Sequence, residues 1–254
     1  MATPPELSVI LPTLDEREAL ERLDPRLRAG TSGRACEVIV VDDASTDGTP
    51  AFVESLARDG PYRLIERRNA RGLASAVVEG LRAARGRVLV VLDADGSHPP
   101  ERIPALVGPI FAGSAEFVLG SRNVPGGSAP GLSFGRRAIS FGAALLARPL
   151  SPVRDPMSGY FAVARSVVDR APLAPVGYKI ALEILVKCRP SPVLEVPIVF
   201  APRVAGESKL GGGEIGAYLH HLERLYAWRI FRRGRRAGAG PTSRSGAGSG
   251  PPRP

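Results

Sequence analysis

The sequence predicts an α/β fold built on a mainly parallel sheet, on three observations. Short runs of Val, Ile and Leu alternate along the chain with longer helical patterns. The runs lack strict apolar–polar alternation, as expected of strands covered on both faces. Acids and hydroxyls cluster just after them, where open parallel sheets place their sites.

Strands are expected at 7–12 (LSVILP), 37–41 (EVIVV), 62–65, 88–92 (VLVVL) and 117–120, with helices at 16–28, 48–58, 72–85 and 100–112. The second half is less regular. A helix over 131–148 places Arg136 and Ser140 four residues apart, on one face. A turn followed by a strand is expected in 154–164 (RDPMSGYFAVA), a helix over 177–188 and a strand over 193–200 (VLEVPIVF). A polar loop with two cations follows (RVAGESK, 203–209), then a terminal helix over 214–236. Residues 237–254 are low-complexity and expected to be disordered. The expected division is a catalytic domain over 1–228 and a basic Gly/Pro/Ser-rich disordered tail over 229–254.

Composition narrows the class. The chain has 254 residues, 44% hydrophobic and 23% charged, which excludes a disordered or collagen-like protein. Its two cysteines, Cys36 and Cys188, exclude a disulfide scaffold and point to a reducing compartment. No apolar window is long enough for a membrane span, and the first residues carry no signal core, so a cytoplasmic location is expected. The net charge of +9 is concentrated at the end: seven arginines and no acid follow from Arg229 onward, leaving about +2 for the rest. A nucleic-acid partner is therefore not expected.

Three strand ends carry the chemistry: 12–16 (PTLDE), 42–48 (DDASTDG) and 93–99 (DADGSHP), with a fourth at 120–122 (GSR). An acid after a strand can simply cap the next helix, which suits Glu16 and Asp47. Asp93 and Asp95 fit that less well, because two close carboxylates repel unless a cation sits between them. Carboxylate oxygens suit Mg²⁺ or Mn²⁺, ions that keep room for substrate phosphates. Asp42 or Asp43 can accept hydrogen bonds from a base or ribose. Neither a Gly-rich P-loop nor a GxGxxG follows the first strand, which argues against kinase-like and dinucleotide-binding folds. Arg122, Arg136, Arg203 and Lys209 fall in loops or at helix starts on the same edge, enough cations for more phosphate than one nucleotide carries.

These residues sit in a linked series: PTLDERE at 12–18, VDDASTDGT at 41–49, RGLASAVVEGLRAARG at 71–86, LDADGSHPPE at 92–101, GSRNVPGG at 120–127, DPMSGYFA at 155–162, PVGYKIALEILVK at 175–187 and RVAGESKLGG at 203–212. The series resembles the polyprenol- (dolichol-) phosphate mannosyltransferases, inverting family-2 glycosyltransferases with a Rossmann-like GT-A fold, over about 7–213. The resemblance implies that Pro12, Leu14, Glu16, Val41 and Asp43, with Asp42 beside them, hold the nucleoside of a nucleotide-sugar. Asp93, Ala94 and Asp95 fall where the family binds diphosphate and metal, and Ser97 on a metal-ligand position that is often Gln. Arg122, Arg203 and Lys209 match contacts to donor or acceptor phosphates; Arg136 and Ser140 match acceptor-phosphate contacts. Asp95, Arg122 and Arg203 are the expected catalytic residues.

The implied reaction moves mannose from GDP-mannose to a polyprenyl phosphate with inversion, using Mg²⁺ or Mn²⁺. A phosphate nucleophile is already ionised at neutral pH and needs no general base, consistent with the lack of a Ser/His/Asp or Cys/His set. His98 is expected to be structural, in the turn before Pro99. Segments 132–150 and 219–236 combine apolar residues with arginines, so peripheral attachment to the cytoplasmic face of a membrane is expected, or a membrane-embedded partner subunit. Alternatives are a UDP-sugar-dependent enzyme acting on undecaprenyl phosphate, a sugar-1-phosphate nucleotidyltransferase, and a non-catalytic nucleotide-sugar-binding subunit. An acidic PTLDERE loop stands where the nucleotidyltransferase needs a basic Gly-rich one.

Overall fold

The structure is a computed structural model and describes residues 4–68, 72–130, 134–174, 179–202 and 212–237. One seven-stranded sheet organises the chain, in the order β3-β2-β1-β4-β6-β5-β7. Its strands are β1 (Leu7–Thr13), β2 (Cys36–Asp42), β3 (Tyr62–Glu66), β4 (Val88–Val91), β5 (Phe117–Ser121), β6 (Phe161–Ala164) and β7 (Val193–Pro197). The helices are α1 (Arg17–Thr31), α2 (Thr49–Asp59), α3 (Leu73–Ala83), α4 (Ile103–Phe111), α5 (Phe134–Ala147), the single-turn α6 (Arg165–Val168), α7 (Ile180–Lys187) and α8 (Gly212–Ala237). A 3-10 turn, Pro100–Arg102, leads into α4. The mixed α/β class and the order of elements match the sequence expectation.

Alternate residues of each central strand enter opposite core layers, because successive side chains point to opposite faces. Val9 and Leu11 of β1 pack with Leu20, Leu23 and Leu27 of α1 and with Ile103, Leu106 and Val107 of α4. Ile10, Ile39 and Val41 face the other way, onto Val77, Val78 and Leu81 of α3; Phe117, Phe161 and Val163 share that layer with Ile180 and Ile184 of α7. The strands are apolar on both faces because both faces are covered. A third, smaller cluster joins α5, α7 and α8 through Ala147, Leu182, Val186, Tyr218, Leu222 and Leu225. The Tyr218 and Tyr226 hydroxyls bind α8 to α5 by donating to the Ala143 carbonyl at 2.8 Å and the Leu146 carbonyl at 2.7 Å.

Two features add to the expected organisation. β6 runs antiparallel to both its neighbours, pairing Phe161 with Val91 of β4 and with Leu119 of β5. The boundary drawn at 228 falls inside α8, which continues to Ala237, and Trp228 packs against the third cluster. The rest of the expected tail, 238–254, lies outside the described residues.

Phe117 of β5 stacks on Phe161 of β6 with ring centroids 5.2 Å apart, and both are fully buried in the layer shared with α7. Phe117→Ala should cost about 3–5 kcal/mol of stability in urea unfolding; a loss below about 1 kcal/mol would contradict this packing.

Candidate active site

Parallel pairing brings the carboxyl ends of β1, β2 and β4 to one edge. The loops after β1 and β2 are zipped together. The Asp15 N–H donates to Ser45 Oγ at 2.7 Å, and the Thr46 N–H to Asp15 Oδ1 at 2.7 Å. Asp47 caps both following helices, accepting the Arg17 N–H and the Thr49 N–H, each at 2.9 Å. Burial acts to raise the Asp47 pKa, but these bonds outweigh it and hold the carboxyl below its ordinary range.

Asp42, expected at the donor, is engaged within the fold. Its carboxylate is wholly buried and accepts Thr13 Oγ1 at 2.9 Å, the Ser45 N–H at 2.8 Å and Ser45 Oγ at 2.5 Å. It clamps the ends of β1 and β2. Pro12 and Val41 are also buried, and the Val41 side chain belongs to the core under α3. Either could meet a nucleoside only through backbone atoms. Leu14 is exposed and Glu16 half-buried, on the open side of the edge.

Asp43 is nearly buried and already paired. It accepts Arg67 Nη1 at 2.7 Å and the Gly72 N–H at 2.7 Å. Arg67 is itself buried, with Nε 3.1 Å from Glu79 and Nη2 on Ser75 Oγ. Gly72 has φ 127°, a conformation open to glycine and strained for other residues.

After β4 the chain turns through Asp93-Ala94-Asp95. Asp93 remains partly exposed, while Ala94 and Asp95 are buried. The Ser97 N–H donates to Asp95 Oδ1 at 2.9 Å. Ser97 Oγ is fully buried and finds no hydrogen-bond partner. His98 is buried and its Nδ1 accepts the Asp93 N–H at 2.9 Å. Burial pushes its pKa down, against the opposing pull of the Asp93 and Asp95 carboxylates.

The fourth strand end supplies the cation. Arg122 Nε and Nη2 grip the two oxygens of Asp155 at 2.7 Å each, and its N–H adds a bond at 2.9 Å. Asp155 is fully buried. Burial works to raise its pKa, but the Arg122 bonds and charge, with Lys179 nearby, hold the carboxyl below its ordinary range. Lys179 Nζ donates to the Met157 carbonyl at 2.5 Å. The Arg122 guanidinium lies 5.4 Å from the Phe200 ring centre. The 120–127 loop folds back closely enough that a Cβ on Gly127 would fall 2.5 Å from the Ser121 carbonyl oxygen.

Of the remaining expected residues, Ser140 is half-buried on α5 and Arg136 lies one turn earlier on that helix, its side chain outside the described residues. Arg203 and Lys209 also lie outside them. Sequence reasoning assigned no site role to Asp155, Lys179, Phe200 or Arg67. Asp155 lies in the DPMSGYFA motif but precedes a strand, whereas the acids that signal a site in a parallel sheet follow strands. A separate cavity of about 300 Å³ at the start of α1 is lined by Asp15, Glu16, Arg17, Glu18, Glu21 and Asp47. Five carboxylates against one arginine make it unsuited to a diphosphate.

The donor set after β4 is all oxygen: two carboxylates and a buried hydroxyl lacking a partner. Among the described residues no group of three or more His, Cys, Asp or Glu side chains forms a closed cage. Such a set suits a hard divalent ion that keeps positions for phosphate oxygens.

A mostly parallel sheet with acids at its carboxyl edge and one reversed strand is the layout of the GT-A glycosyltransferases. Glucosyl-3-phosphoglycerate synthase from Mycobacterium tuberculosis, solved with Mn²⁺, UDP and glucosyl-3-phosphoglycerate, superposes with a TM-score of 0.65 at 24% identity, covering 89% of this chain and 80% of that one. The chain belongs to glycosyl transferase family 2, whose model matches residues 8–171. It is 44% identical over 227 residues to a dolichol-phosphate mannosyltransferase of Pyrococcus furiosus, covering 88% of this chain and 64% of that protein. It is 41% identical over 239 residues to the dolichol-phosphate mannosyltransferase of Saccharomyces cerevisiae, covering 89% and 88%.

Asp155→Asn removes the buried carboxylate that the half-buried Arg122 grips and should cost about 3 kcal/mol at pH 7. The native Asp155 pKa lies below its unfolded value, so this stabilisation is complete above about pH 4 and fades as pH falls through the native pKa. The urea-midpoint gap between wild type and variant should therefore narrow below about pH 4; a gap constant with pH would contradict the assignment.

Proposed function

We propose that the protein transfers mannose from GDP-mannose to the phosphate of a polyprenol, inverting the sugar's anomeric carbon. The observation carrying this reading is one edge that places the Asp93–Asp95 turn and the Arg122–Asp155 pair on either side of Phe200 and His98. The dolichol-phosphate mannosyltransferase relatives support the choice of sugar and acceptor.

Asp93, Asp95 and Ser97 would hold Mg²⁺ or Mn²⁺, which when bound neutralises charge on the departing nucleoside diphosphate. Leu14 and Glu16 would contact the nucleoside, beside Asp43, which Arg67 holds in place. Arg122 is fixed by Asp155 before substrate arrives, so little reorganisation is needed to present its charge. Arg203 and Lys209 add cations from the following loop. Arg136 and Ser140, one turn apart on α5, receive the acceptor phosphate. Its ionised oxygen attacks the sugar carbon opposite the leaving group, and no side chain has to remove a proton.

The acceptor's lipid tail needs a bilayer, and no described helix is long and apolar enough to cross one. α5 exposes Ile139, Phe141, Leu145 and Leu146, and α8 exposes Leu219, Ile230 and Phe231. These two helices, bonded to each other, seat the protein on the cytoplasmic face of the membrane, where the arginine-rich sequence at the end of α8 favours anionic headgroups.

Asp95→Ala should abolish Mn²⁺-dependent mannosyl transfer to a short polyprenyl phosphate with the fold intact by circular dichroism; near-wild-type turnover, or greater use of UDP-glucose than GDP-mannose, would overturn the proposal. Arg136→Ala should raise the KM for polyprenyl phosphate at least tenfold while leaving the GDP-mannose KM within about twofold. The double variant Phe141→Glu/Phe231→Glu should fail to float with anionic liposomes that carry the wild type; equal flotation would remove these helices from membrane attachment.

A further inference from the structure

His98 makes three kinds of contact that converge on the two halves of the site. Its Nδ1 accepts the Asp93 N–H at 2.9 Å. Its ring stacks on Tyr160, centroids 5.1 Å apart at 25°, and meets the Phe200 ring edge-on at 5.5 Å. Tyr160 is fixed in turn, its hydroxyl donating to the Pro99 carbonyl at 3.0 Å. Phe200 carries the Arg122 guanidinium on its other contact, at 5.4 Å. One residue beyond Phe200, the Ala201 N–H donates to the Ser97 carbonyl at 3.1 Å, tying this strand's exit to the acidic turn.

The backbone of 155–160 closes the arrangement from the third side. A Cβ on Gly159 would sit 3.6 Å from His98 Cε1 and 3.9 Å from both Asp93 carboxylate oxygens. The imidazole therefore fills the space between the acidic turn, the segment that begins β6 and the residue on which Arg122 rests. Phenylalanine could supply the stacking, but only a ring nitrogen or another acceptor at that point can receive the Asp93 N–H. An amide N–H left without an acceptor here is unfavourable, and the local backbone shifts to avoid it.

We infer that His98 is a positioning residue: its Nδ1 sets the backbone of Asp93, and so the aim of that carboxylate, while its ring couples the acidic turn to Arg122 through Phe200. The inference rests on the proposed reading that Asp93 and Asp95 serve a metal-bound nucleotide. His98 takes no part in proton transfer; it acts by holding one tautomer, with the proton on Nε2 and the lone pair on Nδ1.

Two substitutions separate acceptor from ring. His98→Phe keeps an aromatic ring and removes the acceptor; His98→Asn removes the ring and places an amide oxygen where Nδ1 stood. With full-length protein and Mn²⁺–GDP titrated calorimetrically, His98→Phe should weaken binding about tenfold or more. His98→Asn should recover most of that loss. Equal affinity of His98→Phe and wild type, or loss in His98→Asn without loss in His98→Phe, would overturn the inference. Two readouts need no ligand. Long-range ¹⁵N–¹H spectra of wild type should show an unprotonated Nδ1, and the Asp93 amide should exchange faster in His98→Phe than in wild type and His98→Asn. A protonated Nδ1 or unchanged exchange would overturn the inference even if wild type bound no Mn²⁺–GDP, an outcome that would separately defeat the proposed function.

Discussion

The site depends on one reversed strand. β1, β2, β4 and β5 all end at the same edge of the sheet, but β6 begins there, because it is antiparallel to β4 and β5. The segment before β6, from Asp155 to Tyr160, is therefore delivered to the edge where the other strands deliver their succeeding loops. Without that reversal Arg122 would lose its carboxylate and His98 its stacking partner. Parallel sheets collect ligands at carboxyl ends; here an amino end is inserted among them, and it carries the acid that fixes the cation.

Charge at this edge is of two kinds. Asp42 and Asp155 are buried and fully engaged, the first on hydroxyls and an N–H, the second on a guanidinium. Asp43 and Arg67 form a similar buried pair. Breaking any of these would leave a desolvated group without compensation, so they set geometry. Asp93 keeps an exposed oxygen surface, and Ser97 Oγ lacks a partner beside it in sequence. The paired groups hold the frame in which the less committed oxygens, proposed to take a divalent ion, face the diphosphate.

The sequence made the first five strands and their helices readable because each carries a buried apolar run or a 3.6-residue stripe, and the observed limits differ from those expected by only a few residues. The Asp93–Asp95 pair was legible as two carboxylates with no mutual compensation. Direction was not legible. FAVA looks the same whichever way it pairs, so neither β6's reversal nor Asp155's place could be seen. The second acid of a DD pair looks equivalent to the first, yet Thr13 takes Asp42 while Arg67 takes Asp43, a division made by side chains 29 and 24 positions away. The terminal helix expected over 214–236 was legible from its apolar and aromatic stripe, and α8 spans Gly212–Ala237.

The most direct examination of the proposed site is crystallographic. Crystals grown with Mn²⁺ and GDP, measured at the manganese edge, should show an anomalous peak between the Asp93 and Asp95 carboxylates, with the diphosphate running from that peak toward Arg122. Diphosphate bound away from this edge, or a manganese peak only in the acidic cavity at the start of α1, would contradict the assignment of the site.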